Sequence, residues 1–220
     1  MTMKHLMAGV AIAAITAGSL TCAPALAQTP DGGFQAGSLL IRGRVIDVIP
    51  QNSTSSVSLI GGHVKATDAI TPEIDFSYFV TPNIAFELIA ATTKHSLSAR
   101  GTAIGNVAVG STWVLPPSLT VQYHFLPQST INPYVGAGVN YTIFYGKHAA
   151  GGVVTDMKLQ NNFGEVLQVG VDVNLGGRWY GNIDVKQIFL STKAKLNGGA
   201  VVAKTQLNPT VVGVGVGYRF

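Results

Sequence analysis

Cysteine, charge and long apolar runs are all scarce in this sequence, and each shortage excludes a class of protein. The one cysteine, Cys22, lies in an apolar N-terminal segment, so a chain that loses this segment forms no disulfide and no cysteine metal site. Charged residues make up 11% of the chain, against about 25% in soluble domains. Beyond residue 27 no run of about 18 apolar residues occurs, which excludes a membrane-spanning helix there.

The first 27 residues have the pattern of a cleaved signal peptide. Lys4 precedes the apolar run LMAGVAIAAITAGSL, and an A-x-A cleavage site follows at Ala25–Ala27. A retained membrane helix is the alternative, but the run is too short to span a bilayer and Pro24 follows it. We therefore predict a signal peptide over 1–27 and a mature domain over 28–220. An exported, charge-poor chain with no membrane helix is typical of a closed β-barrel in the outer membrane of a Gram-negative cell.

Basic residues outnumber acidic ones, 14 to 10, but they form no run. A nucleic-acid-binding protein would concentrate them in a patch or stripe. An exported chain also seldom meets nucleic acid, so the sequence predicts no nucleic-acid partner.

The last residues, NPTVVGVGVGYRF, alternate strictly between two faces. Valine, tyrosine and the terminal Phe220 occupy one parity, whereas glycine and Arg219 occupy the other, as in a strand with one apolar face. Seven earlier segments alternate in the same way. The eight predicted strands cover residues 39–48, 73–80, 84–93, 118–125, 134–145, 166–175, 179–188 and 212–220.

The connections between these strands are alternately short and long. Turn-forming residues fill the short connections at 81–83, 126–133 and 175–178. The long connections are polar and rich in glycine, and they cover 49–66, 98–116, 147–162 and 191–206. This arrangement predicts an all-β fold, an eight-stranded antiparallel transmembrane up-and-down β-barrel, with its long loops outside the cell and both termini at the periplasmic end.

A soluble barrel of the lipocalin type has the opposite polarity, with an apolar interior and a charged exterior. Here one face of the strands carries almost no charge, while the other carries a sparse set of balanced charges among glycines. Charges confined in a small lumen must be paired, so we interpret the charged face as the interior of a membrane barrel. The predicted polar network of the lumen is Arg42, Arg44, Glu73, Asp75, Glu87, His124, Asp172, Asp184, Lys186 and Arg219.

The sequence offers no pattern typical of a catalytic or cofactor site. The glycines of GVGVG lack the spacing of a dinucleotide-binding loop. Of the histidines beyond the signal peptide, we expect His63, His95 and His148 to be solvated in or near the outer loops and His124 to face the lumen. None is at metal-binding spacing, and the lipid-facing wall has no Ser/His pair, so we predict neither an enzyme nor a cofactor.

Three stretches carry a resemblance to a known family: TPNIAFELIAATTKHSLSARG, LPPSLTVQYHF and NPYVGAGVNYTIFY. Together with VGVDVN and the terminal GYRF they resemble the OmpW family of outer-membrane proteins, over most of residues 35–220. The resemblance implies an eight-stranded barrel whose lumen is hydrophobic toward its outer half. It also implies passage of small hydrophobic compounds, which leave sideways through the wall.

On this interpretation six inward apolar residues line the path of the solute: Leu40, Ile46, Phe79, Ile89, Phe144 and Ile188. Lys186 counts against a path that is apolar throughout. The expected partners are outer-membrane lipid, small hydrophobic solutes and the barrel-assembly machinery, for which Phe220 is the expected insertion signal. The alternative is a plugged structural or adhesin-like barrel that acts through its extracellular loops.

Overall fold

The computed structural model describes residues 33–51 and 54–220 of the chain, so the predicted signal peptide lies outside the described residues. No helix in these ranges is long and apolar enough to cross a membrane. The strands, in chain order, are β1 (Leu39–Ile49), β2 (Thr54–Val57), β3 (His63–Ala66), β4 (Ala69–Phe79), β5 (Ile84–Ala91), β6 (Thr93–Thr102), β7 (Gly105–Leu115), β8 (Ser118–His124), β9 (Ile131–Ala149), β10 (Met157–Leu159), β11 (Asn162–Gly176), β12 (Trp179–Phe189), β13 (Ser191–Leu196), β14 (Val201–Gln206) and β15 (Thr210–Arg219). A short 3₁₀ turn, Asn197–Gly199, joins β13 to β14.

Eight of these strands form a closed antiparallel barrel in the order β1, β4, β5, β8, β9, β11, β12 and β15. The ring closes because β15 pairs with β1 on one side and with β12 on the other. Closure leaves no unpaired strand edge, as a lipid environment requires. The predicted eight-stranded antiparallel barrel is confirmed, and each predicted strand corresponds to one strand of the ring.

The remaining strands extend the wall beyond the membrane. A hairpin of β6 and β7 pairs with the outer part of β9 on one side and with β3 on the other. A second sheet has the order β10, β13, β14 and β2. The prediction of four long loops is therefore incomplete, because much of their length is strand. These strands form because they have an apolar inner face to bury, such as Ala194 and Leu196 of β13.

The outward face of the barrel is apolar, as expected of a wall in contact with lipid. Val214 of β15 is 60% exposed and Val169 of β11 is 55% exposed, although both are valines in the middle of long strands. Two carboxylates lie on this wall, which is predicted to carry almost no charge. Asp47 and Glu165 have outward parity, and both lie toward the extracellular ends of their strands.

Aromatic side chains form a belt at each end of this wall, where the membrane surfaces lie. At the periplasmic end the rings of Trp179, Tyr218 and Phe220 follow one another, with centroids 5.1 and 4.9 Å apart. At the extracellular end Tyr141 and Phe163 pack at 4.6 Å. The two belts place the apolar faces of the eight barrel strands inside the bilayer.

The inward glycines of β15 leave room for the arginines of β1. A Cβ atom on Gly217 would lie 2.8 Å from Arg42 Cγ, and one on Gly215 would lie 2.7 Å from Arg44 Cα and would overlap the carbonyl oxygen of Gly43. Side chains at these positions would push the first and last strands apart. The inward glycines of the last strand are therefore required by its close packing against β1.

Gly215→Ala should destabilise the barrel by about 1–3 kcal/mol, because the added methyl group meets backbone atoms that cannot rotate away. Gly43→Ala is the matched control, since a Cβ atom at Gly43 meets nothing within 4 Å. Urea unfolding of the two variants in lipid vesicles measures the difference. Equal midpoints for the two variants would contradict the tight packing of β1 against β15.

Candidate functional site: the barrel lumen

The lumen contains an apolar cavity toward the outside, an ion-pair network in the middle and an aromatic cluster at the periplasmic end. The cavity has a volume of about 270 Å³. Ile46, Ile89, Phe144 and Ile188 belong to its wall, all of them buried and inward. Its floor carries Glu73 and Lys186. We call this space the outer cavity.

The strands beyond the membrane supply most of the upper wall of the outer cavity. Small and branched apolar side chains from these strands, and Val154 from the turn between β9 and β10, pack into one cluster: Val57, Val64, Ala99, Val109, Val154, Leu159, Ala194, Leu196 and Ala203. These residues were not among the predicted lumen residues. Their signal is nevertheless present, because STKAKL of β13 alternates buried and exposed positions in the way a half-buried strand does.

His95 belongs to this wall, and the expectation that it is solvated is wrong. Its imidazole is buried, because β6 turns it inward beside the other residues of the cavity. Nδ1–H donates to the carbonyl oxygen of Thr67 at 2.6 Å, and Nε2 accepts from the Thr93 hydroxyl at 2.8 Å. Burial lowers the pKa of His95, so the ring is neutral at pH 7 and adds no charge to the wall.

Arg42 is the centre of the ion-pair network below the cavity. The side chain is fully buried, and its guanidinium forms a two-point contact with Asp172, with Nε–Oδ1 at 3.0 Å and Nη2–Oδ2 at 2.8 Å. Nη1 donates to Asp75 and to the Ser77 hydroxyl, both at 2.7 Å. These contacts join β1, β4 and β11 across the lumen.

Arg44 and Lys186 bind the other carboxylates of the network. Arg44 lies 2.8 Å from Glu73 and 2.9 Å from Asp75. Lys186 contacts Glu73 at 3.0 Å and Asp184 at 2.7 Å. A third contact of the Arg44 guanidinium, to Glu87 at 3.2 Å, brings a fifth carboxylate into the same layer. The structure thus brings together eight of the ten predicted polar residues as charged partners.

Uncharged side chains complete the hydrogen bonding of this layer, and none of them belongs to the predicted polar network. The Tyr134 hydroxyl donates to Asp184 at 2.9 Å, and Gln168 donates to the same oxygen at 2.8 Å. Thr120 donates to Glu87 at 2.9 Å. Buried charges need such partners for their remaining lone pairs, so the middle of the lumen is filled with paired polar groups.

The aromatic cluster at the periplasmic end is built around Phe34. Its ring stacks on Phe79 at 4.3 Å and on Tyr180 at 4.7 Å, and the His124 imidazole packs against Phe79 at 4.8 Å. The Asn132 amide donates to His124 Nδ1 at 2.8 Å, and His124 Nε2–H donates to the Gln122 amide oxygen at 3.1 Å. Phe34, Phe79 and Tyr180 are buried, together with Leu40.

The segment before β1 holds Phe34 in place at the periplasmic end of the lumen. The backbone N–H of Phe34 donates to the carbonyl oxygen of Pro127 at 2.9 Å, and the Gln128 side chain donates to the Phe34 carbonyl at 2.7 Å. Gly33 has φ +51°, and a Cβ atom there would lie 2.7 Å from Gln128 Cα. Only glycine fits this close approach of two backbones.

The six predicted apolar residues therefore do not form one path. Ile46, Ile89, Phe144 and Ile188 border the outer cavity, whereas Leu40 and Phe79 belong to the periplasmic cluster, and the ion pairs lie between the two groups. Arg219 is buried at the periplasmic end, beside Leu40 in the neighbouring strand. Phe220 is 62% exposed, and its backbone N–H donates to the carbonyl oxygen of Leu39.

Comparison with known proteins identifies the family of this barrel. The model of the OmpW family matches residues 35–220. The chain belongs to the OmpW family. The resemblance seen in the sequence is thereby confirmed, and with it the location in the outer membrane.

Individual relatives of this OmpW-family protein match over nearly their full length. An outer-membrane protein of Sinorhizobium fredii is 39% identical over 207 residues, which cover 93% of this chain and 89% of that protein. Outer membrane protein W of Vibrio cholerae is 32% identical and covers 99% of this chain and 100% of its own length. The crystal structure of OprG from Pseudomonas aeruginosa superposes with a TM-score of 0.78 at 29% identity, covering 86% of this chain and 98% of that one.

Proposed function

We propose that this OmpW-family barrel takes small hydrophobic molecules from outside the cell into the outer cavity and releases them sideways into the membrane. The observation that carries the proposal is the outer cavity itself. Apolar side chains from both the barrel and the extracellular strands line it, so an apolar solute gains by leaving water there.

The contents of the lumen below the cavity favour lateral release over passage straight through. A hydrophobic molecule that moved toward the periplasm would have to displace the paired groups around Arg42 and Arg44, whose side chains are fully enclosed. Unpairing buried charges costs several kcal/mol. The stacked rings of Phe34 and Phe79 close the lumen a second time below that layer.

Filling the cavity tests the proposal. Ala203 lines the cavity opposite Ala194 in the β13–β14 hairpin, so Ala203→Trp should occupy the space of the solute. We expect uptake of a small alkane-like or aromatic solute into barrel-containing vesicles to fall to the level of vesicles without protein. Gln206→Trp is the matched control, because Gln206 lies on the same strand and points outward.

A second variant tests the chemistry of the cavity rather than its volume. Ile89→Asp places a carboxylate on the lower wall, where an apolar solute cannot pair with it, so uptake should fall by about tenfold. Heat-modifiability on gels verifies that each variant is folded. Equal uptake by the wild type, both cavity variants and empty vesicles would leave the barrel a structural or adhesin-like protein.

A further inference from the structure

Basic residues concentrate on the part of the wall that lies outside the membrane. Outside the membrane, the outer end of β9 and the connections between the barrel strands, residues 50–51, 54–68, 92–117, 147–161 and 190–209, contain eight lysines and arginines but two aspartates, Asp68 and Asp156. In the middle of the lumen, by contrast, cations and carboxylates are paired. The surplus positive charge of the chain is therefore extracellular.

Four of these residues form a compact group on the second extracellular sheet, which we call the lysine quartet: Lys158, Lys193, Lys195 and Lys204. Lys158 of β10 lies directly opposite Lys195 of β13, and Lys193 of β13 lies directly opposite Lys204 of β14. Residues opposite each other in antiparallel strands have Cβ atoms about 5 Å apart. Lys193 and Lys195 are neighbours on one face, about 7 Å apart along the strand.

The quartet has no acidic partner within the described part of the chain. Every ion pair among the described residues involves groups of the lumen, and none includes a quartet ammonium group. All four side chains are exposed. Like charges placed directly opposite each other destabilise a sheet, so the arrangement costs the fold stability unless an anion from outside binds between them.

The quartet lies on the upward continuation of the lipid-facing wall. On β12 the odd positions face lipid, up to Phe189, which is 44% exposed, and the same parity continues through Ser191 to Lys193 and Lys195 on β13. Lys193 is four residues beyond Phe189, about 13 Å along the strand at 3.3 Å per residue. Strand tilt reduces the height further. The wall thus changes from apolar to basic where the lipid headgroups lie.

The neighbouring strands β14 and β15 show the same change from apolar to basic outward residues. The outward positions of β15 are valines such as Val212, and the same parity leads upward through Gln206 to Lys204 on β14. Two neighbouring hairpin strands therefore present lysines directly above apolar residues in contact with acyl chains. An anionic group that is attached to those acyl chains is therefore well placed to bind the lysines.

We infer that the lysine quartet binds the phosphate groups of anionic lipid in the outer leaflet of the membrane that contains the barrel. Lysine clusters next to a membrane surface attract anionic headgroups, with about 1 kcal/mol for each lysine. A bound headgroup also neutralises the repulsion within the quartet. Such a lipid would brace the extracellular sheet whose inner face lines the outer cavity.

Lipid retention by the full-length folded barrel tests this inference. The barrel is reconstituted in phosphatidylcholine nanodiscs with a limiting fraction of bisphosphorylated lipid A, and the lipid A retained after transfer to detergent is measured by mass spectrometry. We expect the double substitution Lys193→Gln and Lys204→Gln to weaken retention by about 30-fold. Retention by the wild type should also fall in 0.5 M salt.

The matched control removes two positive charges from the other extracellular sheet, through Lys65→Gln and Arg100→Gln, and should change retention by less than about twofold. Lys158→Gln with Lys195→Gln provides a second quartet variant if the first folds poorly. Equal losses from the quartet and control pairs would overturn the inference in favour of diffuse attraction. Binding of soluble dextran sulfate with the affinity shown for lipid A would overturn it in favour of a soluble polyanion.

Discussion

Replacing Arg42 with methionine should destabilise the folded barrel by about 3–5 kcal/mol, because it leaves buried carboxylates without their cation. Arg42 is fully buried and supplies four hydrogen bonds, to Asp172, Asp75 and Ser77. Methionine has a similar length but no donor. The free energy of unfolding, from reversible urea titrations in lipid vesicles, measures the loss.

The control for this prediction is Arg100→Met, which removes an exposed arginine from β6 and should change stability by less than about 0.5 kcal/mol. A double-mutant cycle sharpens the test. Arg42→Met combined with Asp172→Leu should cost less than the sum of the single changes, because each single change leaves the other group buried and unpaired. An Arg42→Met barrel as stable as the Arg100→Met barrel would contradict the network.

The sequence allowed the strands and their inward faces to be predicted, because both depend on a period of two residues. Arg42 and Arg44 share a parity, and so do Asp172 and Asp184, so all four could be expected inside a barrel before their contacts were known. Which carboxylate meets which guanidinium depends on strand register and on the tilt of the ring. That information is absent from the alternation.

Phe34 shows what alternation cannot reveal. It precedes β1, belongs to no repeating pattern, and reaches its position because Gly33 takes a left-handed conformation against Pro127 and Gln128. His95 is a related case. It lies between the predicted strand 84–93 and the long connection 98–116, so it was expected to be solvated near that loop, yet β6 is a strand with an inner face, and the inward histidine finds both partners locally.

The outer cavity also extends further toward the outside than the eight barrel strands alone predict. Four of the six predicted path residues border it, but residues of the extracellular strands supply much of the rest of its wall. These strands are built from glycine, alanine, threonine and serine as well as valine, which weakens the apolar alternation that reveals a strand. Comparing the alternate positions of Ser191–Leu196 and of Val201–Gln206 would have detected these strands.

Val169→Arg should destabilise the barrel by about 2–4 kcal/mol, the cost of an arginine on the lipid face at the bilayer midplane. Val169 lies midway along β11 between Phe163 of the outer aromatic belt and Leu175 before the periplasmic turn, and its side chain is 55% exposed on the outside of the wall. Valine there contacts acyl chains, so the guanidinium would have to reach either surface past about six residues of apolar strand.

Leu175→Arg is the matched control, because it puts the same side chain on the same face of the same strand near the interface, where the cost falls to about 0–1 kcal/mol. Both free energies come from reversible unfolding in vesicles of one lipid. Thinning the bilayer with shorter acyl chains should reduce the Val169→Arg cost and leave Leu175→Arg nearly unchanged, since the arginine then has less depth to cross. A Leu175→Arg barrel less stable than the Val169→Arg barrel would mean that Val169 does not face the middle of the membrane.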